Sequence, residues 1–144
     1  MLLIIKKVLY LEGIDEIKFI RTAVFQEEQG VEKSLEFDGL DAECTHMLAY
    51  WDDKAVGTSR IREISQETAK IERLAVLKPY RGLGIGKELM KFAIKEIEGN
   101  QNYRQIVVNA QEYVKLLYEK LGFETVGDRF DEAGIPHVKM IKRL

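Results

Sequence analysis

The sequence predicts an α/β domain with a mixed central sheet of about six to seven strands, flanked by about four helices. Strand-like apolar runs and amphipathic stretches alternate in the order strand, helix, long loop, three strands, helix, strand, helix, two strands. The middle of this order, with strands at 70–77 and 106–108 around a helix at 85–98, forms a β-α-β unit. Its two strands are expected to run parallel, joined by a right-handed crossover.

The first elements follow from local patterns. Residues 2–9 form an apolar run that predicts a strand, and Asp15 is placed to cap the helix that follows. The acidic segment 31–45 contains turn residues and predicts a long loop, at most with a short helix. Long loops in compact domains often carry function, so this one is expected to face the substrate. Residues 46–51 and 55–62 then predict a hairpin.

The C-terminal half is more regular. Four consecutive apolar residues at 74–77 interrupt the alternation of the strand at 70–77, which favours a central strand buried on both faces. The stretch 85–98 has one apolar face and one charged face, as an amphipathic helix requires. The remaining predicted elements are a strand at 106–108, a helix at 111–121, and strands at 123–126 and 137–141 that are separated by the segment 131–136.

Length and composition predict a single domain over residues 1–144. A net charge of −2 argues against a general nucleic-acid binder. The lone cysteine, Cys44, rules out an intrachain disulfide framework, and two histidines are too few to suggest a metal site. The apolar start lacks a preceding charged region, and no apolar run approaches membrane-spanning length. We therefore expect a cytoplasmic enzyme or binding domain without metal, nucleic-acid or membrane partners.

Three glycines at alternate positions, Gly82, Gly84 and Gly86, lie between the predicted strand at 70–77 and the helix at 85–98. Bare backbone N–H groups at the start of a helix bind anions, so this turn predicts a phosphate or pyrophosphate cradle. A P-loop is excluded because Glu88 stands where Ser or Thr is needed. A dinucleotide fingerprint is excluded because its third glycine is missing, which disfavours a nucleotide-dependent oxidoreductase. The alternative is that the glycines serve only the turn.

The pattern that does fit is Arg-x-x-Gly-x-Gly, starting at Arg81, and it resembles motif A of the GNAT acetyltransferases. The stretch 118–123 is similar to the Tyr-x-x-x-Gly-Phe signature of that family, and residues 20–31 resemble its N-terminal signature. The segments 109–111 and 133–137 resemble the bacterial ElaA/YjcF-like branch. The likeness covers nearly the whole chain and implies the GNAT fold and acetyl-CoA-dependent N-acetyl transfer.

The resemblance implies a cofactor site along the strand and the glycine turn. The main chain of Leu74, Ala75 and Val76 is expected to pair with the pantetheine arm of acetyl-CoA. Backbone N–H groups of the three glycines and of Lys87 are expected to bind the pyrophosphate, with Arg81 and Lys87 adding positive charge. Both cations are alternatively solvated surface charges. Asn109 is expected to contact the cofactor or an ordered water.

For chemistry, the resemblance implies that Tyr118 acts as the acid toward the departing thiolate; the alternative is a core tyrosine. The base is open between Glu72 and His137. Burial is expected to raise the pKa of Glu72, unless it simply pairs with an arginine such as Arg73. His137 has an unperturbed pKa near neutral, although a structural histidine at a strand start is equally compatible.

Arg21 and Arg73 are expected to hold an anionic group of the substrate. Acetyl transfer is expected to proceed by direct attack of an amine in a ternary complex, without an acetylated residue. The alternative is a non-catalytic acyl-CoA-binding or interaction module. The resemblance suggests a homodimer, although no stretch of the sequence identifies an interface.

Overall fold

The structure is a computed structural model that describes residues 2–144; Met1, where the predicted domain starts, lies outside the described residues. Within that range one seven-stranded sheet is flanked by four α-helices, which confirms the predicted class. The strands are β1 Leu3–Val8, β2 Thr45–Trp51, β3 Lys54–Glu63, β4 Thr68–Val76, β5 Gln105–Gln111, β6 Glu124–Glu132 and β7 Ile135–Arg143. The helices are α1 Tyr10–Arg21, α2 Lys33–Glu36, α3 Ile85–Glu98 and α4 Lys115–Lys120. In the part of the chain from residue 2 on, no helix has the length and apolarity needed to cross a membrane.

The sheet order is β1-β2-β3-β4-β5-β7-β6, and β4 and β5 form its parallel pair, as the β-α-β unit predicts. These two strands pair only where residues 68–70 of β4 meet residues 105–107 of β5. Both strands continue beyond this point, to Val76 and Gln111, without further pairing between them in the described structure. The sheet is therefore split between its central strands.

Helices cover both faces of the sheet. The alternation of β2 shows this directly: Met47 and Ala49 pack into the core under α3, while Leu48 packs against Ile17 and Ile20 of α1. We call these two sets of residues the α3 core and the α1 core. The α3 core is the larger one and also contains Tyr118 of α4.

A bulge in β4 explains the run of apolar residues at 74–77. Arg73 has a φ of 57°, a left-handed conformation that is uncommon for residues other than glycine. Before the bulge, Ala69 and Ile71 face the α3 core; after it, Leu74 and Val76 do. The extra residue reverses the parity of the strand, so consecutive apolar residues serve both faces.

Two local predictions need correction, and a third is confirmed. Helix α1 begins at Tyr10, after Leu9, so Asp15 lies inside the helix and is not its cap. The predicted helix at 111–121 is shorter: a 3₁₀ turn at Glu112–Val114 precedes α4. The predicted loop at 31–45 does contain a short helix, α2.

The segment 131–136 is not a loop but the end of a tight hairpin. Ala133 and Gly134 have φ of 52° and 77°, and two positive φ values are typical of the two-residue turns that match the twist of a hairpin. As a result β6 runs to Glu132 and β7 starts at Ile135. The hairpin sets the register on which the site depends.

Candidate functional site

A cavity of about 710 Å³ occupies the split between β4 and β5, a volume typical of small-molecule sites. With one exception, Arg21, every predicted site residue lines it. These residues are Glu72, Arg73, Leu74, Ala75, Val76, Arg81, Gly82, Gly84, Gly86, Lys87, Asn109, Tyr118 and His137. The fold thus brings together residues that are far apart in the sequence, while the role of each one remains a prediction.

The glycine turn forms one end of the cavity and leads into α3. Gly82 and Gly84 have φ of 80° and 84°, which other residues rarely adopt, so the turn itself requires them. Gly86 differs, because its φ is not positive. A Cβ atom at Gly86 would come no closer than 3.8 Å to Val76. Its missing side chain keeps space free beside the first N–H groups of α3, which fits a cradle for a phosphate.

Arg81 is held beside this turn by Glu28, a partner that no sequence pattern indicated. Its guanidinium donates to both carboxylate oxygens of Glu28 at 2.8 Å, and its Nε donates to the Val76 carbonyl at 2.9 Å. The Arg81 side chain is 42% exposed. Lys87 is also exposed and lines the cavity. The predicted cations are therefore both present at the turn, one of them already paired.

The segment with the N-terminal GNAT-like signature lies across the split in the sheet. A π-helical turn, Thr22–Glu28, continues α1 and places Glu28 against the β4–α3 turn. The next residue, Gln29, accepts a hydrogen bond of 3.1 Å from Gln111 at the end of β5. Residues 28 and 29 thus connect the turn after β4 to the end of β5, and Gln29 lines the cavity.

Tyr118 lies on α4 at the boundary between core and cavity. The residue is 6% exposed, and its ring packs against Phe123 with centroids 5.9 Å apart. Burial raises the pKa of the Tyr118 phenol, so the hydroxyl stays protonated. Tyr118 also lines the cavity, so its hydroxyl is a candidate donor toward a bound molecule. The packing and catalytic interpretations are therefore compatible.

His137 has a defined tautomer. Its Nδ1 lies 2.6 Å from the Ile135 carbonyl, which can only accept, so Nδ1 carries the hydrogen. In the neutral ring Nε2 then has a free lone pair. The residue is 6% exposed and stacks on Phe130 with centroids 5.9 Å apart. An imidazole held in this way can accept a proton at Nε2.

The register of three strands gathers polar groups around His137. His137 pairs with Gln111 of β5, and two residues earlier in β5 is Asn109, so all three share one face of the sheet. Glu132 lies on that face too, diagonally across the hairpin. Asn109 donates to Glu132 at 3.4 Å. The sequence prediction missed Glu132, although an Ala-Gly pair between two strand-like runs is a signal for the hairpin that places it.

Tyr118 and His137 approach the cavity from opposite faces of the sheet. Tyr118 belongs to the α3 core. His137 is flanked in β7 by Val138, which faces the α3 core, so His137 itself points to the other face. Both side chains reach one cavity because the sheet is split there. A molecule bound in the split can therefore contact Tyr118, the predicted acid, on one side and His137, a predicted base, on the other.

The expectation of a raised pKa at Glu72 is wrong. Its carboxylate lies 2.6 Å from Nε of Arg62 and 3.1 Å from Nη2 of Arg60. Burial by itself raises the pKa of this group, but the charge of Arg60 and the hydrogen bond from Arg62 outweigh it and hold the pKa below its ordinary value. The structure shows the alternative considered above, pairing with arginines, and Glu72 is a poor proton acceptor.

The prediction that Arg21 contacts the substrate is also wrong. Arg21 is 1% exposed, lies outside the cavity, and donates at 2.6 Å to both Glu36 and Asp41. Arg73 does line the cavity, 21% exposed, with Nε donating to the Glu36 carbonyl and Nη2 lying 3.3 Å from Asp38. A contact between Arg73 and the substrate remains a prediction.

Arg21 belongs to a closed set of ion pairs that we call the ionic ring, whose members in order are Arg21, Glu36, Arg73, Glu72, Arg60 and Asp41. Asp41 accepts hydrogen bonds from both Arg21 and Arg60, at 2.6 and 2.9 Å. Arg60, 1% exposed, also pairs with Asp38 at 3.0 Å and with Glu72 at 3.1 Å. The ring connects α1, the segment 31–45, β3 and β4. It fastens the predicted substrate-facing segment to the sheet next to the cavity.

Comparisons with known proteins agree with this geometry. Residues 11–144 match the family model described as "Acetyltransferase (GNAT) domain". YjcF of Bacillus subtilis, an N-acetyltransferase by name, is 33% identical over 132 residues, which are 91% of this chain and 93% of YjcF. The crystal structure of Escherichia coli ElaA superposes with a TM-score of 0.87 at 23% identity, covering 99% of this chain and all of ElaA. An acyl-CoA N-acyltransferase from Pseudomonas aeruginosa gives 0.83 at 26% identity, covering 99% of each chain. The chain therefore belongs to the GNAT acetyltransferase family and is similar within it to YjcF and ElaA.

Proposed function

We propose that the protein transfers an acetyl group from acetyl-CoA to an amine by direct attack in a ternary complex. The observation that carries this proposal is one cavity that joins a glycine-lined helix start to a buried hydroxyl and a free imidazole nitrogen. These are the N-terminus of α3, Tyr118 and His137. Membership of a family that uses acetyl-CoA supports the choice of donor.

The cofactor half of the site follows from the glycine turn. The first N–H groups of α3 bind the pyrophosphate, where Gly86 leaves room for it and Lys87 adds positive charge. The main chain of Leu74 and Val76 borders the split in the sheet and pairs with the pantetheine arm as an added strand does. The thioester is then directed toward Tyr118.

The chemical half uses two groups. His137 accepts a proton from the incoming ammonium at Nε2, and the resulting amine attacks the thioester carbonyl. A C–N bond forms and the C–S bond breaks, while the second N–H proton leaves and the thiolate takes up an equivalent one. Reference pKa values of ~10 for tyrosine and ~8.5 for a thiol make full transfer from Tyr118 uphill by about 2 kcal/mol, and burial of the phenol adds to that difference. Tyr118 therefore acts as a hydrogen-bond donor that stabilises the sulfur as its charge develops.

The activity is tested first with acetyl-CoA, a panel of primary amines and Gly86→Val. We expect thiol release and an acetylated amine from the wild type, and CoA binding by calorimetry. The Gly86→Val variant is expected to bind CoA at least about tenfold more weakly, because the valine side chain occupies the cradle. Gly86 is a better choice than Gly84, whose positive φ strains any substitution.

Gly99→Val, at the other end of α3 and away from the cavity, is the matched control and is expected to bind CoA normally. Equal CoA binding by Gly86→Val and Gly99→Val contradicts the cradle. CoA binding without turnover on any amine favours a non-catalytic acyl-CoA-binding module.

The base is identified by pH–rate profiles of His137→Gln and Glu72→Gln. We expect His137→Gln to lose the acidic limb and to lower kcat/KM by about 10²-fold near neutral pH, with a smaller loss at high pH, where the amine is already deprotonated. Glu72→Gln is expected to keep the acidic limb, because the lowered pKa of Glu72 removes it from that range. If Glu72→Gln loses the acidic limb, Glu72 and not His137 is the base. If both variants keep the limb, a water molecule accepts the proton.

A further inference from the structure

His137 and Glu132 form a pair of hydrogen-bond acceptors that face each other. Nε2 of His137 lies 3.6 Å from Oε2 of Glu132, just beyond hydrogen-bonding range. Because Nδ1 donates to Ile135, the neutral imidazole presents a lone pair at Nε2, and the carboxylate oxygen also has only lone pairs. A donor nitrogen to one side of the line that joins these two atoms can reach both of them at hydrogen-bond distance.

In the described part of the chain, Glu132 lacks the arginine partners that the other carboxylates of the cavity have, so it is suited to bind a cation from outside. The other carboxylates lining the cavity, Glu36 and Glu72, each pair with at least two arginines. Within residues 2–144, Glu132 has no lysine or arginine nitrogen within 4.0 Å; its neighbours are His137 and the amide of Asn109. Its side chain is 49% exposed, so it is open to an incoming ligand.

The neighbouring groups hold this acceptor pair in place. Asn109 donates to Oε1 of Glu132, which leaves Oε2 directed toward His137. Phe130 stacks on the imidazole, and the Ile135 carbonyl fixes its orientation. The hairpin turn at Ala133–Gly134 sets the register that brings the two acceptors together. The pair is thus built by the fold and not by chance proximity of flexible chains.

We propose that Glu132 and Nε2 of His137 together bind the ammonium group of the acceptor, so that the protein selects primary amines that are protonated in neutral solution. The inference rests on the proposed acetyl transfer and specifies the substrate class that it uses. Glu132 holds the cation and then stabilises the imidazolium that forms when Nε2 takes the proton. R–NH₃⁺ becomes R–NH₂ at that step, and the proton remains on the imidazole.

The test uses the intact protein, ¹⁵N-labelled at histidine, with benzylammonium chloride as the probe and benzyl alcohol as its uncharged analogue. The chain has two histidines, and His137→Gln assigns their ring signals. The contact between Nδ1 and the Ile135 carbonyl leads us to expect hydrogen on Nδ1 of His137 in the free protein. Benzylammonium is expected to shift the Nε2 signal saturably, and benzyl alcohol to leave it unchanged.

Two variants complete the test. Glu132→Gln is expected to weaken benzylammonium binding by about tenfold or more, since a charged acceptor becomes a neutral one. Glu124→Gln removes the same charge from the exposed start of β6 and is expected to bind like the wild type. The proposal is overturned by an imidazolium already paired with Glu132 in the free protein, by an unmoved Nε2 signal, or by equal affinity in Glu132→Gln.

These outcomes are separable from those of the acetylation assay. If Glu132→Gln acetylates amines with an unchanged KM, the proposed acetyl transfer stands and the ammonium site at Glu132 and His137 is rejected. Absence of turnover on every amine rejects the proposed function, while the histidine spectra still report whether a cation binds between the two groups.

Discussion

Replacing Tyr118 with phenylalanine is expected to lower kcat by about 10²–10³-fold, the range found when a donor to a developing negative charge is removed. The structure explains why the loss falls on turnover. Tyr118 lines the cavity, while its ring packs against Phe123 in the α3 core. Phenylalanine preserves the packing and removes only the donor, so stability and CoA affinity are expected to change little.

The measurement is steady-state turnover by thiol release, with CoA affinity by calorimetry and thermal unfolding on the same preparations. Tyr103→Phe is the matched control, because Tyr103 lies in the α3–β5 connection, away from the cavity, and its hydroxyl donates to Glu63 at the end of β3. Turnover of Tyr118→Phe within about twofold of wild type, with normal CoA binding, means that Tyr118 is a core residue only.

Arg60→Met is expected to lower the free energy of unfolding by about 3–5 kcal/mol, the range found when one partner is removed from a buried ion pair. Arg60 is 1% exposed and bonds to both Asp38 and Asp41, with Glu72 at 3.1 Å. Methionine fills much of the same volume but neutralises none of these carboxylates. The loss is therefore electrostatic and not a cavity effect.

Urea unfolding at several pH values measures this effect and adds a second signature. Burial raises the pKa of Asp41 and of Glu72, but hydrogen bonds and charge from the arginines outweigh it and lower both values. Each carboxylate thus stabilises the fold above its unfolded pKa, near 3.8 and 4.5 respectively, and that contribution is lost as the pH falls through the folded value.

Arg60→Met is expected to flatten this acid dependence, because its carboxylates have lost a principal partner. Arg104→Met, at an exposed arginine, serves as the control and is expected to unfold like the wild type. A loss below about 1 kcal/mol, with an unchanged acid dependence, contradicts a stabilising role for the ring.

The sequence predicted most of the fold because its signals are local. The periodicity of α3 and the apolar runs of the strands depend on neighbours a few positions away, and a β-α-β unit has few topological solutions. The run of four apolar residues at 74–77 predicted a central strand buried on both faces, but the bulge at Arg73 that produces this run was not predicted. The glycine turn and Tyr118 were identified from residues close to one another in the chain, and the fold places them in one cavity.

The misassigned residues depend on partners far away in the chain. Arg21 resembles a free surface cation until the fold brings Glu36, 15 residues on, and Asp41, 20 residues on, against it. Glu72 is similar, since its pKa is set by Arg60 and Arg62 on the neighbouring strand. Glu132 was missed because its place beside His137 depends on the hairpin register, in which a shift of one residue moves a side chain to the other face.

The ionic ring also constrains how this chain can diverge. Asp41 is shared by two arginines, so replacing Asp41 removes a carboxylate partner from both buried guanidinium groups, and replacing either arginine removes one of the two partners of Asp41. Joint replacement by apolar residues of similar volume is much less costly. We therefore expect Arg21, Asp41 and Arg60 to be inherited together in descendants or lost together. The choice of acceptor amine depends on other residues of the cavity, so it can change while these three residues are retained.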